Sequence, residues 1–212
     1  MNFVTHSFRH AEVILNEPQF NEQYKELISV IKDITESEII NTHQSYLKKT
    51  PKSISVAIND LLKERFSSKG WKPESSIFQQ DEYTGDTWRL DFAKQDISVE
   101  VAFNHSTVIA WNLIKPVLAS ELNHVQKAIQ TKVGVIITVT KDMKKDGGFD
   151  GAIGYFEKFL DYLPPLQNLL TVPILLIGLT APESFKIEHY NPAPRKTIGR
   201  VIMRKQDDQL LF

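Results

Sequence analysis

The chain has 212 residues, which is enough for one domain with a sizeable hydrophobic core. Its formal net charge is −1, so the protein is not basic overall and any surface that attracts nucleic acid must be local. It contains no cysteine, which excludes disulfides and thiolate zinc sites and suits a reducing cytosol.

The N-terminal part, residues 1–70, is predicted to be mainly helical after a short strand or turn. It lacks the basic region and long apolar run of a signal peptide, and no apolar run of the chain is long enough to cross a bilayer. Apolar residues recur at intervals of three and four over residues 17–34 and 53–69, which predicts two amphipathic helices. The polar residues 35–51 are expected to form a loop or a frayed helix end. A polar connection follows, with a short strand at residues 76–80.

Residues 88–104, WRLDFAKQDISVEVAFN, are predicted to form a β-hairpin. Both arms alternate between apolar and polar residues, which is the pattern of strands with one buried face. Asp91 on the first arm and Glu100 on the second are expected to lie together on the face away from the core. If the turn lies at residues 94–95, Asp91 is opposite Ser98 and Glu100 is its diagonal neighbour, with Cβ atoms about 7–8 Å apart.

Acids on two neighbouring strands supply the oxygen ligands from which a divalent-cation site is built. The main-chain carbonyl of Val101 would add a third oxygen to those of Asp91 and Glu100, and Mg²⁺ is the expected cofactor. The alternative is that the two acids lie on the solvated face of an ordinary hairpin, which periodicity alone favours.

The second half of the chain is predicted to alternate helices with buried strands. The predicted elements are a helix over residues 106–129 that Pro116 kinks or splits, a strand over 132–140, a charged loop over 141–150, a helix over 151–163 and a strand over 171–179. This order predicts a mixed α/β fold, in which a central mixed β-sheet is flanked by helices.

The C-terminal segment, residues 183–212, is expected to be basic and irregular at its start. Charge alone leaves two interpretations equal: a solvated tail, or an arm that contacts DNA phosphates and bases. In the second interpretation the residues that contact DNA, in or along the major groove, are Tyr190, Asn191, Arg195 and Lys196.

An Asp, a spacer and Glu-Val-x at a strand end form the arrangement of the PD-(D/E)xK phosphodiesterases. There the third residue, usually Lys, positions or deprotonates the attacking water. Residues 85–182, and most densely 88–112, resemble more closely the type II restriction endonucleases of the BglII and BstYI group. The segments that carry the resemblance are LDFAKQDISVEVAFNHSTVIAWNLI, VGVIITV and VPILLIGLTAP.

The resemblance implies a restriction-endonuclease-like fold for a single nuclease domain, residues 1–212, with residues 71–182 as its catalytic core. It also implies a homodimer that cleaves double-stranded DNA at a short palindromic site with Mg²⁺, in the cytoplasm of a prokaryote. In that group the Asp and the Glu lie nine residues apart, as Asp91 and Glu100 do here. The loop after the second strand approaches the DNA, which implies DNA contacts for Asn104 and His105.

The chain departs from that group at Ala102, where the group has a polar residue. A methyl group can neither position a water nor donate to a phosphate. The role of the polar residue can have moved to another position, for which Asn104 is the nearest residue on the same face. Less well placed for it are Lys94, His105 and Lys115.

The methyl group of Ala102 also fits two further hypotheses. In one, the two acids, a backbone carbonyl and water are sufficient for cleavage; in the other, the chain binds DNA without cleaving it. A repair nuclease that recognises DNA shape is an additional alternative for the whole chain. We favour an active nuclease with Asp91, Glu100 and Asn104 as catalytic residues, because clustered acids are costly to retain without a cation.

Overall fold

The computed structural model describes residues 1–46, 50–83, 85–121, 126–127, 129–194 and 196–204. Helices flank a six-stranded mixed sheet, which confirms the predicted fold class. The strands of this sheet are β1 (Phe3–Phe8), β2 (Lys72–Ser76), β3 (Arg89–Lys94), β4 (Ile97–Val101), β5 (Val133–Val139) and β6 (Ile174–Leu179). A separate antiparallel pair consists of β7 (Phe185–Ala193) and β8 (Lys196–Met203).

The helices are α1 (Ala11–Leu15), α2 (Asn21–Lys32), α3 (Glu36–Ser45), α4 (Ser55–Ser68), α5 (Ile109–Ser120), α6 (Lys141–Asp146) and α7 (Phe156–Leu166). Short 3-10 turns lie at Asp81–Tyr83, Asp86–Trp88 and Ser106–Val108. None of the helices in the described ranges is long and apolar enough to cross a membrane.

The sheet order is β1, β6, β5, β4, β3, β2. The three central strands β6, β5 and β4 are parallel, and the remaining neighbours pair in antiparallel fashion. Every residue of β5 and β6 is buried, because helices cover both faces of the sheet there. The crossover from β4 to β5 contains α5, which therefore packs on the strand that carries Glu100.

Residues 35–51, for which a loop or a frayed helix end was expected, contain the separate helix α3. Thr35 caps this helix: its side chain accepts a hydrogen bond from the N–H of Glu38, and the Glu38 side chain accepts one from the N–H of Thr35. The capping box compensates for the weak apolar stripe of the helix. The strand expected at residues 76–80 begins earlier, as β2 at Lys72.

The long helix expected over residues 106–129 is shorter, since α5 ends at Ser120. Pro116 lies inside α5 and does not split it. The predicted apolar period also included Leu122 and Val125, which lie outside the described residues.

Two further predictions for the C-terminal half are corrected. The charged residues 141–150 contain α6, because the side chain of Thr140 accepts a hydrogen bond from the N–H of Met143 and caps the helix. The start of the basic C-terminal segment, which was expected to be irregular, forms the β7–β8 ribbon. Phe185 and Ile187 alternate inward in this ribbon and are buried against the main core.

Candidate active site at the β3–β4 hairpin

The turn between β3 and β4 consists of two residues, Gln95 and Asp96, because Lys94 pairs with Ile97. Gln95 adopts a positive φ of 48°. Two-residue hairpin turns need positive φ but usually obtain it from Asn or Gly, so the sequence carries little sign of this turn.

This register corrects the predicted one, because Ser98 pairs with Ala93 and not with Asp91. Continuing the same register brings Asp91 to the position across from Glu100. The two acids therefore come closer than the predicted diagonal arrangement, and they remain on neighbouring strands at the same end of the hairpin.

The carboxylate of Asp91 links β3 to the end of β4. Its Oδ2 accepts a hydrogen bond of 2.6 Å from the backbone N–H of Val101. Burial raises the pKa of Asp91 above its usual range, and this hydrogen bond and the charge of Lys115 oppose the rise. A cavity of about 190 Å³ opens beside Asp91 and Val101.

Glu100 is only 2% exposed, so the hairpin face that was predicted to lie away from the core is covered at this position, and the alternative of a solvated face does not hold for Glu100. The reason is that α5 packs over this part of β4. Burial, followed by the charge of Asp91, raises the pKa of Glu100 to about 8, and Lys115 and the Asp91 backbone N–H oppose that rise.

A positively charged side chain, that of Lys115 in α5, lies beside this pair of acids. Nζ of Lys115 donates to Oε2 of Glu100 at 2.8 Å, and the side chain of Lys115 is 12% exposed. Within the described residues, no donor meets hydrogen-bond geometry with the other oxygen of Glu100, Oε1. Lys115 is the only charged residue of α5, IAWNLIKPVLAS, and this lone charge in an apolar helix was the signal in the sequence.

A tight contact fixes the position of α5 beside the acids. Pro116 packs on Gly134 of β5 so closely that a Cβ built at Gly134 would lie 2.5 Å from Cβ of Pro116. Gly134 pairs with Ser98 of β4, two residues before Glu100. Lys115, which directly precedes Pro116, therefore lies beside β4.

The remaining positions considered for the third group lie elsewhere. Ala102 is 2% exposed and belongs to an apolar cluster with Ile109 and Leu113. Lys94 donates to Glu26 at 2.7 Å.

The loop after β4 exposes the side chains of Asn104 and His105. Oδ1 of Asn104 accepts a hydrogen bond of 3.0 Å from Nδ2 of Asn112 in α5. His105 precedes the turn that leads into α5 and accepts a hydrogen bond from the N–H of Thr107. The described hydrogen bonds of both side chains thus brace the loop.

The proposed DNA-contacting residues of the C-terminal segment lie on the β7–β8 ribbon. Tyr190 is exposed, and the guanidinium of Arg200 lies 4.2 Å from the centre of its ring. Asn191 accepts a hydrogen bond of 2.7 Å from Thr197. Arg195 lies outside the described residues, and for Lys196 only the backbone is described.

The oxygen atoms of the hairpin suit a hard divalent cation. Glu100 has a buried oxygen that lacks a hydrogen-bond partner, and Asp91 uses only Oδ2 for Val101. No group of three or more His, Cys, Asp or Glu residues that could hold a metal occurs among the described residues. Two carboxylates and one carbonyl leave several positions for water, which is how proteins usually hold Mg²⁺.

Comparisons with known proteins give one consistent result. The family model of the restriction endonuclease BglII/BglIII matches residues 3–179. A crystal structure of the restriction endonuclease BglII complexed with a DNA 16-mer is similar, with a TM-score of 0.65 and 22% sequence identity over 96% of this chain and 100% of the other. A structure of free BglII has a TM-score of 0.58 and 20% identity over the same shares of the two chains. No curated protein sequence matches.

Proposed function

The chain belongs to the restriction endonuclease BglII/BglIII family and is a type II site-specific deoxyribonuclease, and on this premise we propose that it requires Mg²⁺ and acts as a homodimer. Its substrate is double-stranded DNA with a short palindromic site, since a twofold-symmetric protein reads a palindrome. The BglII structure with a DNA 16-mer supports this class of substrate. Residues 1–212 act as a single nuclease domain, in the cytoplasm of a prokaryote.

One observation carries the proposal of metal dependence. Asp91 and Glu100 converge at the end of one hairpin, and Glu100 keeps a buried oxygen without a hydrogen-bond partner. A buried carboxylate with a raised pKa is stabilised by a nearby cation. Asp91, Glu100 and the carbonyl of Val101 are the residues that would hold Mg²⁺.

When bound, the cation polarises the scissile phosphate and promotes attack by water in line with the leaving oxygen. The protein residues have separate roles. Asp91 fixes the end of β4 through the N–H of Val101, so that the Val101 carbonyl stays beside the acids. Glu100 is held by Lys115 through one oxygen, which leaves the second oxygen for the cation.

The DNA contacts are assigned to two exposed regions. Asn104 and His105 approach the DNA from the loop after β4, and Asn104 is also a catalytic residue in this proposal. A two-stranded ribbon fits into the major groove, which supports Tyr190, Asn191, Arg195 and Lys196 as contacts from the β7–β8 region.

Plasmid DNA incubated with the protein in Mg²⁺ or in EDTA tests the proposal. We expect discrete fragments in Mg²⁺ and intact plasmid in EDTA. A gel shift without cleavage under both conditions would favour a DNA-binding protein that does not cut, an alternative to which the apolar Ala102 gives weight. Cleavage restricted to junctions or flaps would favour a nuclease that recognises DNA shape.

A further inference from the structure

We propose that Lys115 supplies the cationic third group of the nuclease site, in place of the polar side chain that position 102 lacks. The inference rests on the proposed function, because it assigns a residue to the same reaction. In it, Lys115 is a catalytic residue: one donor of its ammonium orients Glu100, and the remaining donors face the reacting phosphate and water.

The first argument is the contact itself. Nζ of Lys115 lies 2.8 Å from Oε2 of Glu100, and both side chains are largely withdrawn from solvent. An ammonium has three donors, and within the described residues Glu100 accepts the one hydrogen bond that Lys115 makes. Among the described residues the other two donors meet no acceptor. We place them toward the scissile phosphate, which gains negative charge during cleavage and is stabilised by a preorganised cation.

The second argument is the packing that places Lys115. Pro116 follows directly and is pressed against Gly134, so α5 has little freedom to move along or away from the sheet. A lysine side chain is flexible in solution, but here the helix from which it extends is held in place. The ammonium is thus preorganised by the fold rather than by the strand that carries the acids.

The third argument concerns the alternatives. The side chain of position 102 is a methyl group in an apolar cluster. Lys94 is committed to Glu26, and the described hydrogen bond of the Asn104 side chain joins it to Asn112. Among the positions considered from the sequence, Lys115 is the one that contacts an acid of the pair.

The chain contains no natural cysteine, which permits a test with a chemically installed charge. The Lys115→Cys variant is alkylated with 2-bromoethylamine, which restores an ammonium at nearly the length of lysine. A second sample is alkylated with 1-bromopropane, which gives a neutral side chain of the same shape. Both are alkylated in denaturant, refolded and compared by thermal melting.

We expect the propyl form to cleave DNA more slowly than the wild type by about 100-fold or more in single-turnover reactions, and the aminoethyl form to recover most of the rate. Lys94→Cys, treated in the same way, is the matched control, because Lys94 also forms a partly buried ion pair on this hairpin. Its propyl and aminoethyl forms should cleave at similar rates.

A second measurement does not depend on activity. The charge of Lys115 acts on the carboxylate that would hold Mg²⁺, so the propyl and aminoethyl forms should differ in Mg²⁺ affinity in calorimetric titrations. Equal cleavage rates and equal Mg²⁺ affinities for the two forms would overturn the role of Lys115. If Lys115 variants cleave normally while Asp91→Asn does not, the proposed function stands and this inference fails. If the wild type does not cleave DNA, the proposed function fails, and the Mg²⁺ titration still tests the placement of Lys115.

Discussion

Nζ of Lys115 lies 2.8 Å from Oε2 of Glu100 and joins the middle of α5 to the end of β4. The same helix buries the carboxylate and delivers its counter-charge. A buried acid and a buried base that lie together are each costly when the other is removed, so the position of α5 affects the stability of this pair and, in the proposed function, the rate of cleavage.

The Gly134→Ala substitution tests this dependence on α5. A Cβ at position 134 would lie 2.5 Å from Pro116, so the helix must shift away from β5 and carry Lys115 with it. We expect a loss of about 1–3 kcal/mol in the free energy of unfolding, measured with urea, together with slower cleavage. Gly85→Ala is the control, because no atom of the described residues lies within 4 Å of a Cβ there, and it should leave both quantities almost unchanged. A Gly134→Ala protein as stable as the wild type would show that α5 is not held by this contact.

The acids themselves are tested by Asp91→Asn and Glu100→Gln. Each removes a charged oxygen that is proposed to hold Mg²⁺, so single-turnover cleavage should fall by about 1,000-fold or more. Binding of uncleaved DNA in EDTA, measured by fluorescence anisotropy, should change much less. Asp96→Asn is the matched control, because Asp96 lies in the turn of the same hairpin and pairs with Lys132. Unchanged cleavage in either acid variant would show that the site is elsewhere.

The sequence was sufficient to predict the hairpin and its acids, because alternation in strands is a local property of the chain. The register was wrong since it depends on the turn, and Gln95 gives little indication of a positive φ. The sequence does not favour Lys115 over Asn104, because the contact of Lys115 with Glu100 follows from the packing of Pro116 on Gly134, which connects distant parts of the chain. The capping box at Thr35 was a local signal that could have revealed α3.

The pKa of Glu100 predicts how stability depends on pH. The pKa of Glu100 is about 8 in the folded chain and 4.5 ordinarily, so between these two pH values the folded state binds more protons than the unfolded state. The stability that Glu100 contributes is therefore fully present below the ordinary pKa and is lost as the pH rises through the folded one. Burial shifts the pKa of Asp91 in the same direction.

In EDTA we therefore expect a lower melting temperature at about pH 9 than at about pH 6, and a larger stabilisation by Mg²⁺ at the higher pH, since a cation competes with the proton. The Glu100→Gln variant shows the pH dependence that other titratable groups contribute. Its melting temperature should depend less on pH than that of the wild type. A stabilisation by Mg²⁺ that is equal at both pH values would contradict the assignment of Glu100 as a ligand.

The Ala102→Gln substitution tests whether position 102 has lost a catalytic role. Ala102 is buried in an apolar cluster, so a longer polar side chain should cost about 1–3 kcal/mol in the free energy of unfolding. Because Lys115 already donates to Glu100, the rate of cleavage should not rise. Urea unfolding and single-turnover cleavage measure the two effects. A faster enzyme of unchanged stability would instead identify position 102 as a lost catalytic position.

The β7–β8 ribbon should contact DNA near its turn rather than at its base. At the base, Lys186 is paired with Glu188 at 2.7 Å and Arg204 with Asp146 at 2.5 Å, so these charges are partly compensated within the protein. Lys196 pairs with Ala193 at the other end of the ribbon, beside the turn.

Lys196→Ala should therefore weaken DNA binding at every sequence tested and reduce the slope of log affinity against log salt concentration by about 1. Lys186→Ala, on the same ribbon, is the matched control and should change the slope much less. Fluorescence anisotropy at several salt concentrations, in EDTA to prevent cleavage, measures both slopes. Lys186 is held by Glu188 and is not expected to contact DNA. If Lys186→Ala changed the salt slope more than Lys196→Ala does, the base of the ribbon would face the DNA and the proposed orientation would be reversed.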